Sequence, residues 1–217
     1  MVGSIPVIDF SAYSIDRNEP DSDGIQKVVD EVHEALTTVG FLYLINHGIP
    51  EAKVDAMYSS SRRFFELPEE TKVRYTSINV YEGGYDYMGK ERCNLERPPD
   101  LKQTFNYTIK GDIDRYMPDK EVPELRTSIH DFWDQCAQLH ERLLIVIARG
   151  LNLEENFFIK FYKGLGTESN NSILRTLYYP AVSVVKERQL RCGEHTDYGG
   201  ITLLFQGSPG LEVVYMT

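Results

Sequence analysis

The chain has 217 residues, 41% hydrophobic and 12% aromatic, a composition that supports a packed core and excludes wholesale disorder. Its formal charge of -10, from 23 basic and 33 acidic residues with no basic run, argues against binding to the phosphate backbone of a nucleic acid. Three widely separated cysteines (Cys93, Cys136, Cys192), no basic-then-apolar leader and no apolar run approaching about 18 residues read as a cytoplasmic protein without a disulfide framework or a membrane span.

Ile5 to Phe10 (IPVIDF) is short and β-branched and reads as an edge strand before an acidic, polar loop. From Ile25 the apolar positions Val28, Val29, Val32, Leu36 and Val39 keep a helical period, with Asp23 as the expected cap and Gly40 as the stop. Phe41 to Ile45 (FLYLI) reads as a buried strand entering an Asn46-His47-Gly48 turn, and Pro50 opens a second helix reaching Phe64 and Phe65. Between Ser77 and Gly111 periodicity fails, and a loop with short strand pieces near Thr104 to Ile109 is expected. Within it the segment Tyr81 to Met88 combines glycine with tyrosine, which suits either a cover over a substrate mouth or a plain packed loop.

Pro123 starts the longest helix, with an apolar face of Leu125, Ile129, Phe132, Cys136, Leu139, Leu143 and Ile147 and a stop at Gly150. A shorter helix is expected at Glu154 to Tyr162. Gly164 to Asn171 reads as a linker, followed by strand-like runs at Ile173–Tyr179, Val182–Lys186, Gly200–Phe205 and Leu211–Tyr215. A mostly helical region, 1–165, thus precedes a sheet region, 171–217, which places the chain in the α+β class.

The segment Glu194-His195-Thr196-Asp197-Tyr198-Gly199 carries the chemistry. On a strand, side chains two residues apart leave the same face, so His195 and Asp197 can converge on one metal. An imidazole and a carboxylate are two thirds of the facial triad that holds non-haem Fe(II). The five histidines are His33, His47, His130, His140 and His195, and none follows the motif, so either an upstream histidine closes the site or the 217 residues stop before the site is complete. His130 and His140 lie about 80° out of phase on one helix and do not form a ligand pair. His47 fits a turn or core histidine bonded to backbone. Cys192 and His195 have C-x-x-H spacing without a second pair, too little for zinc. Arg175 either lines a pocket or makes a structural ion pair.

The segments IPVIDF, GFLYLINHGIP, FFELPEETKVRY, LKQTFNYT, LRTLYYP and EHTDYGGITLLFQ resemble, in order and spacing, the isopenicillin N synthase-like superfamily of Fe(II)- and 2-oxoglutarate-dependent oxygenases. The resemblance implies a double-stranded β-helix, or jelly roll, buttressed by a helical N-terminal region. It implies His195 and Asp197 as metal ligands and Tyr179 as a contact to the 2-oxoglutarate carboxylate. It also implies a small organic substrate, O2, and ascorbate as an added or replacement reductant in some relatives. The reaction implied is hydroxylation or desaturation through a ferryl intermediate. The family's distal histidine, roughly fifty or more residues past the aspartate, and its Arg-x-Ser pair have no counterpart among the 217 residues, so the jelly roll is expected to be incomplete. Leu177 stands where plant members commonly carry asparagine. Two alternatives stay open beside the oxygenase: an inactive truncated fragment or splice form of one, and a non-catalytic jelly-roll binding module.

Overall fold

The computed structural model describes residues 4–76, 78, 82–109, 113–162, 164, 171–197 and 199–213. Most of the expected 164–171 linker, Tyr81, Tyr198 and the end of the expected 211–215 strand lie outside the described residues. The architecture mixes helix and sheet, in two compact units: 1–59 with 127–170, and 60–126 with 171–217.

The first unit pairs β1 (Val7–Asp9) in parallel with β2 (Tyr43–Ile45), under α1 (Ile25–Thr38). Ile8, Phe10 and Tyr13 are buried with Val28, Val29 and Val32 of α1, the face that the helical period selected, although Leu36, expected on it, is exposed and Ala35 is buried instead. Asp23 does not cap α1. Its carboxylate accepts from the Ser22 hydroxyl at 3.2 Å, and Gly24 occupies the cap position without a side-chain bond. The FLYLI segment is not a buried strand either: Phe41, Tyr43 and Ile45 are all exposed. A two-stranded sheet with one covered face can bury only every second residue, however apolar the run.

The turn after β2 behaves as expected. His47 Nδ1 accepts from the Ile49 amide at 3.1 Å, and Asn46 donates to the Asp9 carboxylate at 3.0 Å. Gly48 sits at φ +86°, and a Cβ there would fall 2.4 Å from Ser14 Oγ. Gly48→Ala is therefore expected to cost about 1–3 kcal/mol, from left-handed strain plus displacement of Ser14, read as a lower urea midpoint.

Helix α2 (Glu51–Phe65) ends in the second unit with Phe64 and Phe65, and α5 (Pro123–Gly150) has the bounds its sequence announces. The helix expected at Glu154–Tyr162 is reduced to one turn, α6 (Ile159–Tyr162). Phe157 and Phe161 are exposed there, so no apolar burial offsets the cost of nucleating a longer helix.

The second unit holds an antiparallel sheet in the order β3 (Gly84–Asp86), β4 (Gln103–Tyr107), β5 (Leu174–Tyr178). Two short helices, α3 (Glu69–Lys72) and α4 (Ile113–Tyr116), lie in the same unit. Phe64 sets its ring against Phe105 (4.8 Å), Tyr85 (5.7 Å) and Tyr75 (6.3 Å) edge-on, while Phe65 stacks on Tyr178 at 5.3 Å. The central strand β4 is buried on both faces despite its polar Gln103, Thr104 and Asn106. Each of these is hydrogen-bonded: to Lys72 Nζ at 2.9 Å, to the Asp86 carboxylate at 3.3 Å and to the same carboxylate at 2.9 Å, respectively.

Residues 182–186 and 200–205 form no strand. Val184, Val185 and Leu204 point to solvent, and no partner strand among the described residues satisfies their backbone.

Candidate active site

The sheet carries a polar network that ends at the His-x-Asp motif. It starts at Asp86, 4% exposed on β3, which accepts from Asn106 on β4. Asn106 Oδ1 accepts from Arg175 Nε at 2.8 Å, across the β4–β5 register that sets these two residues opposite each other. Arg175 also pairs with Glu91 at 3.0 Å, so its guanidinium is engaged by protein groups. Glu91 in turn lies 3.3 Å from the Lys102 ammonium, whose side chain is 2% exposed. Lys102 pairs with the equally buried Asp100 at 3.1 Å.

Asp100 is the junction between the sheet and the motif. Its Oδ2 accepts from the Cys93 amide at 3.2 Å and its Oδ1 from the Gly193 amide at 3.0 Å. Burial works to raise this carboxyl, but the hydrogen bonds from Cys93, Lys102 and Gly193 together hold it below the ordinary carboxylate value. Burial pushes the Cys93 thiol up to about 12, with Lys102 opposing. Two further ties bind the same segments: the Leu101 amide donates to the Leu190 carbonyl at 3.0 Å, and Gln189 donates to the Pro99 carbonyl at 2.8 Å. Arg97 grips Glu194 with two bonds of 2.7 and 2.8 Å, and this lowers the Glu194 carboxyl.

The motif itself is not part of a strand ladder, contrary to the alternation argument. Its two side chains nevertheless converge: His195 Nε2 lies 3.4 Å from Asp197 Oδ1. His195 Nδ1 lies 2.9 Å from the Gly193 carbonyl, which can only accept, so in the neutral ring this nitrogen carries the proton and Nε2 presents its lone pair. The Thr202 hydroxyl donates to Asp197 Oδ2 and leaves Oδ1 facing the imidazole. A neutral imidazole nitrogen and a carboxylate oxygen, both oriented by outer partners, fit a divalent metal such as Fe(II).

The other sequence candidates fall elsewhere. His140 packs edge-on against Tyr162 at 4.8 Å in the first unit, and burial lowers its pKa. Tyr179 follows β5 with 44% of its surface exposed, and desolvation raises its phenol. Tyr87 and Met88, from the tyrosine-rich segment, line an open hollow of about 540 Å³ with Glu69, Val73 and Gln103. Sequence reasoning missed Lys102, Asp100, Glu91, Cys93 and Thr202. Only the Asp100-x-Lys102 alternation beside a strand hinted at a buried ion pair.

Residues 5–127 match the family described as the non-haem dioxygenase in morphine synthesis N-terminal region. A 2-oxoglutarate-dependent dioxygenase of Monascus ruber is 34% identical over 96% of this chain and 67% of its own length. The chain belongs to the 2-oxoglutarate-dependent dioxygenases. A proline hydroxylase of Petromyces alliaceus is 34% identical over 85% of the chain and 60% of its own length. Among solved structures, a full-length Neurospora crassa protein in complex with alpha-KG superposes with a TM-score of 0.73 at 28% identity, covering 90% of this dioxygenase chain and 61% of the Neurospora one. The Neurospora protein has also been solved with alpha-KG and thymine. The chain thus spans roughly two thirds of the length of the relatives it matches. Among the described residues, no helix is long and apolar enough to cross a membrane.

Proposed function

We propose that the protein works as an Fe(II)- and 2-oxoglutarate-dependent dioxygenase that hydroxylates or desaturates a small organic substrate, with His195 and Asp197 as two of the metal ligands. The observation that carries this reading is the 3.4 Å approach of His195 Nε2 to Asp197 Oδ1, with Gly193 and Thr202 holding the opposite edges of both side chains. Family membership supports the same chemistry. Iron bound there would supply oxygen activation coupled to the decarboxylation of 2-oxoglutarate to succinate.

This chain's residues orient the reactants. The Gly193 carbonyl fixes the imidazole tautomer, and the Thr202 hydroxyl fixes the carboxylate. Tyr179 would donate its hydroxyl to the cosubstrate carboxylate, and Arg175, its guanidinium held by Asn106 and Glu91, would line the pocket from β5. The chain from 171 onward forms the start of the jelly roll, after the mostly helical region 1–165, and its β5 pairs back onto β4 of that region. The small-molecule substrate class is supported by the thymine complex of the Neurospora protein and by the relative named a proline hydroxylase.

The test is succinate release from 2-oxoglutarate by the protein under Fe(II) and oxygen, with Asp197→Ala as control. Succinate formation that persists unchanged in Asp197→Ala would remove the proposal. Tyr179→Phe is expected to weaken 2-oxoglutarate ten- to a hundredfold, since a hydrogen bond to a charged group is worth about 1.5–3 kcal/mol. Calorimetric titration reads this directly, and an unchanged dissociation constant would assign Tyr179 to packing.

A further inference from the structure

The buried Lys102 ammonium faces two thiols that the oxygenase chemistry does not use. Its Nζ lies 3.1 Å from Cys93 Sγ and 3.3 Å from Cys192 Sγ. The two sulfurs are 3.7 Å apart, although 99 residues separate them in the chain. The backbone on both sides is fixed by one carboxylate: Asp100 accepts from the Cys93 amide and from the Gly193 amide, the residue after Cys192. Close packing adds to this, because a Cβ on Gly193 would meet Asn94 Cβ and Asn94 N at 3.0 Å. The segments that carry the two cysteines are therefore in direct contact and tied to a common anchor.

A disulfide needs about 2.05 Å between sulfurs, so side-chain rotation has to close a gap of under about 2 Å while the anchored backbone stays in place. The two sulfurs and a ring nitrogen of His195 also lie within 4.8 Å of one another, which raises a cation site of two thiolates and an imidazole as the rival reading. Lys102 argues against it, because a buried ammonium against both sulfurs already supplies the positive charge and repels a divalent ion. The same ammonium favours negative charge developing on sulfur as it attacks an oxidant.

We propose that Cys93 and Cys192 are an oxidation-sensitive pair that hydrogen peroxide converts into a disulfide. The Cys192 thiol attacks the peroxide O–O bond, giving a sulfenic acid and one water. The Cys93 thiol then displaces the sulfenic hydroxyl as a second water, forming the S–S bond. Two thiols lose two electrons, the peroxide gains them, and the two thiol protons leave in the waters. The bond fastens the 91–100 segment to the one that carries His195, and a dithiol reductant reopens it.

The experiment treats the full chain with peroxide, blocks residual thiols by alkylation under denaturing conditions, and maps the digest by mass spectrometry. The expected result is a cross-linked pair of peptides holding Cys93 and Cys192, a mass loss of about 2 Da that dithiothreitol reverses. In Cys93→Ser the cross-link is absent and Cys192 is trapped as a sulfenic acid by dimedone. Free Cys93 and Cys192 in the wild type at a peroxide dose that sulfenylates Cys192 in Cys93→Ser would overturn the proposal. So would a cross-link of either cysteine to Cys136 or to Lys102, or protection of both thiols by stoichiometric zinc in the protein as purified. The wild-type map decides even if Cys93→Ser folds poorly. No readout involves iron or 2-oxoglutarate, so failure here leaves the oxygenase reading standing, and failure of that reading leaves this one standing.

Discussion

His195→Ala is expected to bring 2-oxoglutarate-dependent succinate formation down to background while leaving the unfolding midpoint close to wild type. The side chain is 44% exposed, so its removal opens no cavity, and the effect falls on the proposed metal site. Disturbing an outer partner of a metal ligand costs about 10–100-fold, and losing the ligand costs more, so a fall of at least about a hundredfold is anticipated. Thr202→Val supplies the graded control. It removes the donor to Asp197 Oδ2 without touching the carboxylate and is expected to fall within that 10–100-fold range. Succinate chromatography and iron stoichiometry on the same samples check both. Wild-type turnover in His195→Ala would reduce the motif to a surface turn.

Lys102→Met is expected to destabilise the fold by about 3–5 kcal/mol, because it leaves the Asp100 carboxylate buried without its cation and takes one partner from Glu91. The cost arises from the stranded charge more than from the lost attraction. The double variant Lys102→Met with Asp100→Asn is therefore expected to be more stable than the sum of the two single changes by at least about 1 kcal/mol. Urea unfolding of the three variants measures this, and strict additivity would show that the pair is not coupled. The same pair sets a pH dependence. Asp100 is held below its ordinary value of 3.8, so its contribution is fully present above that value and is lost as the pH falls through the depressed folded value. In Asp100→Asn this part of the acid sensitivity is expected to disappear.

The sequence determined the elements whose signals are local. The period of Val28, Val29 and Val32 selected the buried face of α1, and Pro123 and Gly150 marked both ends of α5. The His47 turn was readable because glycine and asparagine tolerate the left-handed backbone found at Gly48 and Asn46. His195 and Asp197 do approach each other as expected, but on irregular backbone and not on the strand from which the convergence was argued. What failed locally depended on partners. FLYLI is apolar enough for a buried strand, but a two-stranded sheet covers only one side of it, and the runs at 182–186 and 200–205 have strand composition without a strand to pair with among the described residues.

Only the tertiary structure decided the surroundings of the motif. Nothing in the sequence places Cys93 beside Cys192, or Lys102 and Asp100 against the 192–193 segment, because these contacts join residues 90 to 99 positions apart, brought together beside the pairing of β4 with β5. Burial then dictates the rest. Asp100, Lys102 and Asn106 read as ordinary polar positions, yet once buried each must be paired. Those pairings form the path from Asp86 to His195. A sequence shows which side chains can take part in such a network, and the fold selects those that do, since the penalty for an unpaired buried charge exists only once water has been excluded.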